Sequence, residues 1–486
     1  MINVFIAVLT AYFLLGTAIA YLSRRRGVKS SSDYFVAGYR LGGFLSAMTY
    51  AATTYSAFMM VGLVGLTYAT GVGALGFELI YLLATLVLLV TIAPKAWVMA
   101  KERGWVSPSE MLSDLYSSRA LGYLVAATYL VALLPYISAQ LSGIAVVFEG
   151  VGLSYGLGVA VGTALLILWV ALAGMWSVAT TDAYQGLWMI FSAAALVTWL
   201  TFSFIPLKGV NLNDLTAALS NAGFLGLTSF WSFNTFLAYT LPWVFFAVTN
   251  PQVVVRVFIP KDGRAYKNMV SLFSIYGFIY TVVVVYVGLV SRGLTLLNLF
   301  ENVANRDLVT PKLLLNMDAT LASIIYVSII AAATSTANSI VLAVASSFVR
   351  DIYEKAFSGK HSLKVANALV LTLSVAAAGI ALLRTGFIVD LSVLTSVILL
   401  PLAPITILAW LNPNISRSKE ARAAAIASVA LGVAIALSAA TYLGPRATFL
   451  SSWGGLPISL WVLITSTSIT LIGFTLGKLR SVGKPS

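Results

Sequence analysis

Thirteen stretches of this chain are runs of about 20 apolar residues, the length a helix needs to cross the hydrocarbon core of a bilayer. They fall at approximately 2–21, 44–69, 76–99, 121–149, 156–174, 183–206, 235–249, 269–290, 319–349, 366–383, 387–411, 423–443 and 457–477, each bounded by charge, Pro, Gly or Asn. Only a membrane suits such a chain, with 60% of its residues hydrophobic, 9% charged and a mean hydropathy of +0.95. In water that composition would demand an unattainably large dry core, whereas lipid accepts apolar side chains on the protein's outside as well. A soluble enzyme is therefore excluded. The longest intervening stretches, near 207–234 and 291–318, are too short and mixed for a soluble domain.

The chain carries 29 Lys+Arg against 16 Asp+Glu, a net charge of +13. In a soluble protein that balance would suggest nucleic acid. With loops assigned alternately to the two faces of the bilayer, 23 basic residues fall on one face; the other holds only Lys208, Arg292, Arg306, Lys312, Arg384 and Arg446. By the positive-inside rule the surplus marks orientation, with the N-terminus outside and the C-terminus cytoplasmic in a multi-pass plasma-membrane protein, and no nucleic-acid partner. Ala18-Ile19-Ala20 resembles a signal-peptide cleavage site, but Arg24-Arg25-Arg26 follow the apolar run instead of preceding it, so the first span is expected to stay. Without cysteine and with a single histidine, the chain has no disulfides, thiolate nucleophiles or imidazole metal clusters.

Three local patterns point away from function. Gly71-Val72-Gly73-Ala74-Leu75-Gly76 spells the dinucleotide fingerprint, yet it joins two spans and no acidic residue occurs between Glu78 and Glu102, so a tight turn is expected. Asn414-Ile415-Ser416 is a glycosylation acceptor placed on the cytoplasmic side, where it stays silent. His361, between Lys360 and Lys364, fits a solvated loop.

Polar groups inside spans are costly and therefore the functional candidates. Glu78, Glu149 and Asp390 lie near span ends and also fit an interfacial role. Asp182 stands apart: it falls in a short polar link, Gly174 to Gly186, with no basic residue in the link to pair with it. The ninth span carries Ala332-Ala333-Thr334-Ser335-Thr336-Ala337-Asn338-Ser339, in which Ser335, Asn338 and Ser339 share one helix face. Oxygen ligands of this kind suit a hard cation such as sodium. Hydroxyls that bond back to the preceding turn or join helices give the alternative account. In the second span, Tyr50-Ala51-Ala52-Thr53-Thr54-Tyr55-Ser56-Ala57, followed by Gly62 and Gly65, weakens the helix in mid-membrane. A break there would free backbone carbonyls for a cation.

These residues resemble the sodium:solute symporter family, whose members carry proline, pantothenate, monocarboxylates, sugars and sialic acid. The resemblance runs from about Asp33 to about Tyr353 and rests on separated motifs. Asp33 to Arg40 is similar to the family's entry motif. Gly174 to Gln185 resembles GG-x-x-A-V-x-x-T-D-x-x-Q, with Ala173 where the first Gly is common. Asn250-Pro251-Gln252-Val253-Val254-Val255-Arg256 resembles G-Q-P-H/Q-x-x-x-R, and Ser335-Thr336 with Ser346 to Tyr353 resembles the signature of the eighth core helix.

The resemblance implies an all-α, LeuT-like fold: five plus five helices in inverted repeats with flanking helices. It divides the chain into a first helix and basic loop (1–43), a first repeat (44–206), an extracellular loop (207–234), a second repeat (235–411) and two flanking helices with a tail (412–486). It also implies sodium-coupled uptake of a small organic solute, an amino acid such as proline or a small carboxylate, with no cofactor. The implied main sodium site comprises the carbonyls of Ala52, Tyr55 and Ala332 and the hydroxyls of Ser335 and Thr336. A possible second cation site comprises Asp182, Ser335, Asn338 and Ser339. The implied solute pocket comprises Tyr136, Gln140, Trp243, Ser56 and Phe58, although Ala247 stands where proline carriers have a further aromatic. Packing between helices also accounts for Tyr136 and Trp243. Proton coupling through Asp182 is the variant reading. A channel is disfavoured because the polar clusters are local, a receptor because the chain is expected to end without an output domain, and an intramembrane enzyme because metal ligands and a Ser/His pair are missing.

Overall fold

The computed structural model describes residues 1–24, 30–356 and 362–482. His361 and its neighbour Lys360 lie outside the described residues. The chain is a bundle of helices numbered here in chain order: α1 (Ile2–Arg24), α2 (Gly43–Thr54), α3 (Phe58–Thr70), α4 (Gly73–Thr91), α5 (Arg119–Gly150), α6 (Tyr155–Val170), α7 (Gly174–Leu207), α8 (Phe233–Val244), α9 (Pro251–Phe258), α10 (Gly263–Leu296), α11 (Ala319–Tyr353), α12 (Ser362–Leu382), α13 (Ile388–Leu399), α14 (Leu402–Leu411), α15 (Lys419–Leu443) and α16 (Ile458–Arg480). Among the described residues nine helices are long and apolar enough to cross a membrane, and α2/α3 and α13/α14, bent by 46° and 53°, bring the count to 11 if each pair is one span. Thirteen crossings are therefore not established: α6 is shorter, and the expected seventh span, 235–249, is split between α8 and a four-residue helix at Phe246–Thr249, with α9 following it.

Small residues set the closest approaches. Gly71, at φ +81°, turns the chain between α3 and α4, and a Cβ there would meet the Phe224 carbonyl oxygen at 2.7 Å. The fingerprint-like glycines thus serve a turn, as expected. Gly174, at φ +58°, separates α6 from α7, and a Cβ there would lie 2.4 Å from the Tyr34 carbonyl oxygen, so the entry motif packs against the first residue of the second motif.

Two sequence expectations are corrected. Asp182 is not in a link: α7 starts at Gly174, because Thr180 and Thr181 donate back to carbonyls one turn earlier and keep the polar stretch helical. Arg256, assigned to a basic loop, lies in α9 and is fully buried. The central element is α11, whose apolar window is entirely buried. It packs on α5, α7, α9 and α1, so the polar run of residues 334–339 sits in the driest part of the bundle.

Candidate ion and solute site

The break between α2 and α3 is built from the polar residues that weaken the helix. Tyr55 leaves the helical region, at φ −92° and ψ 95°, and the freed N–H groups of Ala57 and Phe58 donate to Gln140 Oε1 at 3.3 Å and Ser56 Oγ at 3.1 Å. These two side chains cap the second half-helix, which satisfies donors that a bilayer would otherwise leave stranded. The Tyr55 ring is fixed by α10, stacking on Phe273 and Tyr276, with Gly277 making room: a Cβ there would lie 2.2 Å from the Tyr55 hydroxyl.

Against the end of α2 stands α11. Ser335 Oγ donates to the carbonyl oxygens of Ala52 (2.8 Å) and Ala332 (2.9 Å); Thr336 Oγ1 donates to those of Ala52 and Thr53 (3.2 Å each). Four of the five expected main-site residues thus converge, and the carbonyl of Thr53, which sequence reasoning missed, joins them. Tyr55 lies at the break itself, three residues beyond Ala52. All of these residues are buried. Three carbonyl oxygens, each within 3.2 Å of at least one of two hydroxyls and with no fixed charge among them, are a donor set suited to a desolvated monovalent cation once the hydroxyls turn their lone pairs inward.

The expected second site differs. Asp182 is not unpaired: its Oδ2 accepts from Thr49 Oγ1 at 2.6 Å and forms an ion pair with Arg256 at 3.5 Å. The Arg256 guanidinium also donates to Ser339 Oγ at 2.6 Å, to Thr49 Oγ1 at 3.3 Å and to the Gln252 carbonyl at 3.1 Å. Ser339 and Thr53 share a further hydrogen bond at 2.9 Å. The readable signal for Arg256 was a lone charge flanked by valines, Val253 to Val257. Three residues past Asp182, Gln185 bonds Tyr12 (2.7 Å) and Thr334 (3.1 Å), tying α1 to α11.

The expected solute residues cluster on the other side of the break. Phe58 faces Trp243 with ring centroids 4.9 Å apart; Trp243 stacks flat on Phe246 (4.9 Å, 2°) and receives the edge of Tyr81 (5.1 Å). Tyr136, Gln140, Trp243, Ser56 and Phe58 are all buried. Three of their polar atoms have no protein partner: Tyr136 Oη, Gln140 Nε2 and Trp243 Nε1. Glu78 joins them. Read as interfacial from sequence, it is 1% exposed, its Oε2 has no partner, and Tyr81, on the same face of α4, lies beside it. Asp390 is likewise buried, held by Arg306 at 2.8 Å and Tyr239 at 3.2 Å. Glu149 alone keeps an interfacial position, half-paired with Arg384 at 3.3 Å.

A membrane bundle with a broken helix presenting its carbonyls to a polar, buried partner helix has the construction of a secondary transporter. The model of the sodium:solute symporter family matches residues 34–410, and the chain belongs to that family. It is 28% identical over 175 residues to a monocarboxylate transport permease protein of Rhizobium johnstonii, a match covering 35% of each chain, so this protein spans about a third of that relative's length. It is 24% identical over 393 residues to the osmoregulated proline transporter OpuE of Bacillus subtilis, covering 78% of each. A solved Na+-coupled sialic acid symporter, in a substrate-bound outward-open state, superposes with a TM-score of 0.78 over 98% of both chains at 18% identity. That likeness establishes the LeuT-like, all-α fold expected from the motifs.

Proposed function

We propose that the protein is a sodium-coupled symporter that takes up a small organic solute, an amino acid such as proline or a small carboxylate. The observation that carries the coupling ion is the convergence of the Ala52, Thr53 and Ala332 carbonyls with the Ser335 and Thr336 hydroxyls across the α2/α3 break. Sodium bound there would hold the broken helix against α11 and favour the outward-open state; solute then fills the space at Trp243 and the repeats 44–206 and 235–411 rock to face inward. The N-terminus is outside and the C-terminus cytoplasmic in this reading, as the charge asymmetry implies.

Tyr136 Oη, Gln140 Nε2 and Trp243 Nε1 are available for the solute's acceptor groups. A thermal-shift screen of proline and other amino acids, short carboxylates, pantothenate and sugars, each with and without sodium, tests the reading. An amino acid or a small carboxylate should raise the unfolding midpoint only when sodium is present. Equal stabilisation in sodium-free buffer would refute it.

A further inference from the structure

The turn of α11 that offers Ala332, Ser335 and Thr336 to the broken helix is held on another face by α1, which supplies none of the proposed ligands. Thr334 is the pivot. Its hydroxyl has one proton, directed at the carbonyls of Ile330 (2.8 Å) and Ala331 (3.1 Å), which can only accept. Tyr12 in α1, 3.0 Å away, therefore donates to Thr334 Oγ1. The amide of Gln185 in α7 completes a ring, donating to Tyr12 Oη at 2.7 Å and to Thr334 Oγ1 at 3.1 Å. All three side chains are buried, where lipid offers no substitute for these bonds. The phenol is fixed by its surroundings: the ring stacks on Tyr184 (5.8 Å, 19°) and packs at a steep angle against Trp169 (5.5 Å) and Trp188 (5.7 Å). Trp169 is itself tied to α1, donating to Thr17 Oγ1 at 3.0 Å.

We infer that Tyr12 is a positioning residue of the sodium site, acting through Thr334 on the ligands of α11. The inference rests on the sodium reading of the main site. Successive helical residues point about 100° apart, so Thr334 is fastened to α1 and α7 while Ser335 and Thr336 face the carbonyls of α2. Any rotation of this turn would carry Ser335 Oγ and the Ala332 carbonyl away from Ala52 together. Ser335 Oγ lies 2.8 Å from the Ala52 oxygen and 2.9 Å from that of Ala332, a spacing that a shift of about half an ångström would spoil. In the proposed cycle the α2 side of the site rearranges, and the ring of Tyr12, Gln185 and Thr334 keeps the α11 side ready for the next ion. Without the phenol hydroxyl, Thr334 retains Gln185 as its donor and the turn gains freedom to rotate. The loss is then felt in ion affinity.

The test is equilibrium binding of radioactive sodium alone to the purified full-length protein, read beside the unfolding midpoint in sodium-free buffer. Tyr12→Phe keeps the ring and removes only the hydroxyl; it should raise the sodium Kd roughly three- to fivefold, with little change in the sodium-free midpoint. Thr334→Val should weaken sodium at least as much, whereas Thr334→Ser, which keeps the acceptor, should bind like the wild type. The double variant Tyr12→Phe/Thr334→Val should be no weaker than Thr334→Val alone, because both changes break the same contact. A lowered sodium-free midpoint with an unchanged Kd in Tyr12→Phe would make the contact purely structural and overturn the inference, as would additive losses in the double variant. An unchanged Kd in Tyr12→Phe beside a weakened Ser335→Ala overturns the inference and leaves the main site standing. An unchanged Kd in Ser335→Ala overturns both. Should Tyr12→Phe not fold, Thr334→Val and Thr334→Ser decide the matter: equal sodium affinity in the two refutes the inference.

Discussion

In the proposed site Ser335 and Thr336 carry the ion chemistry at the scale of single residues, because their hydroxyls can turn while the carbonyls of Ala52, Thr53 and Ala332 are fixed by the backbone. Ser335→Ala should raise the sodium concentration for half-maximal uptake about tenfold, or ~1.4 kcal/mol; an unchanged sodium dependence would remove Ser335 from the site. Trp243 belongs to a separate cluster of rings, with Phe58, Tyr81 and Phe246. Trp243→Ala should weaken solute binding and spare sodium affinity, measured on protein that remains monodisperse, since loss of a buried indole also costs about 3–5 kcal/mol of stability. Asp307, in the segment before α11, gives a pH signature. Burial pushes its carboxyl from 3.8 up to about 6, against the opposing pull of Arg306 and of the Ile388 N–H it accepts from at 3.0 Å. The folded state thus keeps a proton that the unfolded chain has released. This contribution to stability is full below the ordinary value and is lost as pH rises through 6. Thermal unfolding between pH 4 and 7 should show that decline in the wild type and a flatter profile in Asp307→Asn.

At the scale of elements, the two bent crossings depend on close backbone approaches. Gly65 in α3 is the tightest: a Cβ there would fall 2.2 Å from the Arg306 carbonyl oxygen, and Arg306 holds Asp390 in α13. Gly65→Ala should push the two bent helices apart and cost about 1–3 kcal/mol in thermal or denaturant unfolding; no loss would mean that this approach does not matter. The break in the second span was legible because threonines, tyrosines and glycines interrupt an apolar helix where nothing but a cavity could compensate. The extent of α7 was not legible, because Thr180 and Thr181 look like a loop until their hydroxyls are seen to bond back into the helix. Nor was α9: Pro251 reads as a boundary, yet as the first residue of a helix it begins the segment that buries Arg256. The ion pair between Asp182 and Arg256 joins residues 74 apart in sequence, and spacing alone carries no signal for it. The polar residues at the break and on α11 were readable as candidates because each cluster is local in sequence; the partner of a lone buried charge is set by tertiary packing.

On the proposed reading the whole molecule couples solute movement to a sodium gradient that the bilayer insulates. One sodium moving down 100 mV releases roughly 2.3 kcal/mol, and a tenfold concentration ratio adds about 1.4, enough for roughly 500-fold accumulation of a neutral solute. The central claim is that the oxygens across the α2/α3 break bind the sodium that drives transport. Uptake of labelled proline, or of whichever solute the thermal screen selects, into proteoliposomes tests it most directly. An inward sodium gradient should drive accumulation that collapses when the gradient is dissipated, and Ser335→Ala should shift its sodium dependence. Equal accumulation driven by a proton gradient in the absence of sodium would contradict the account.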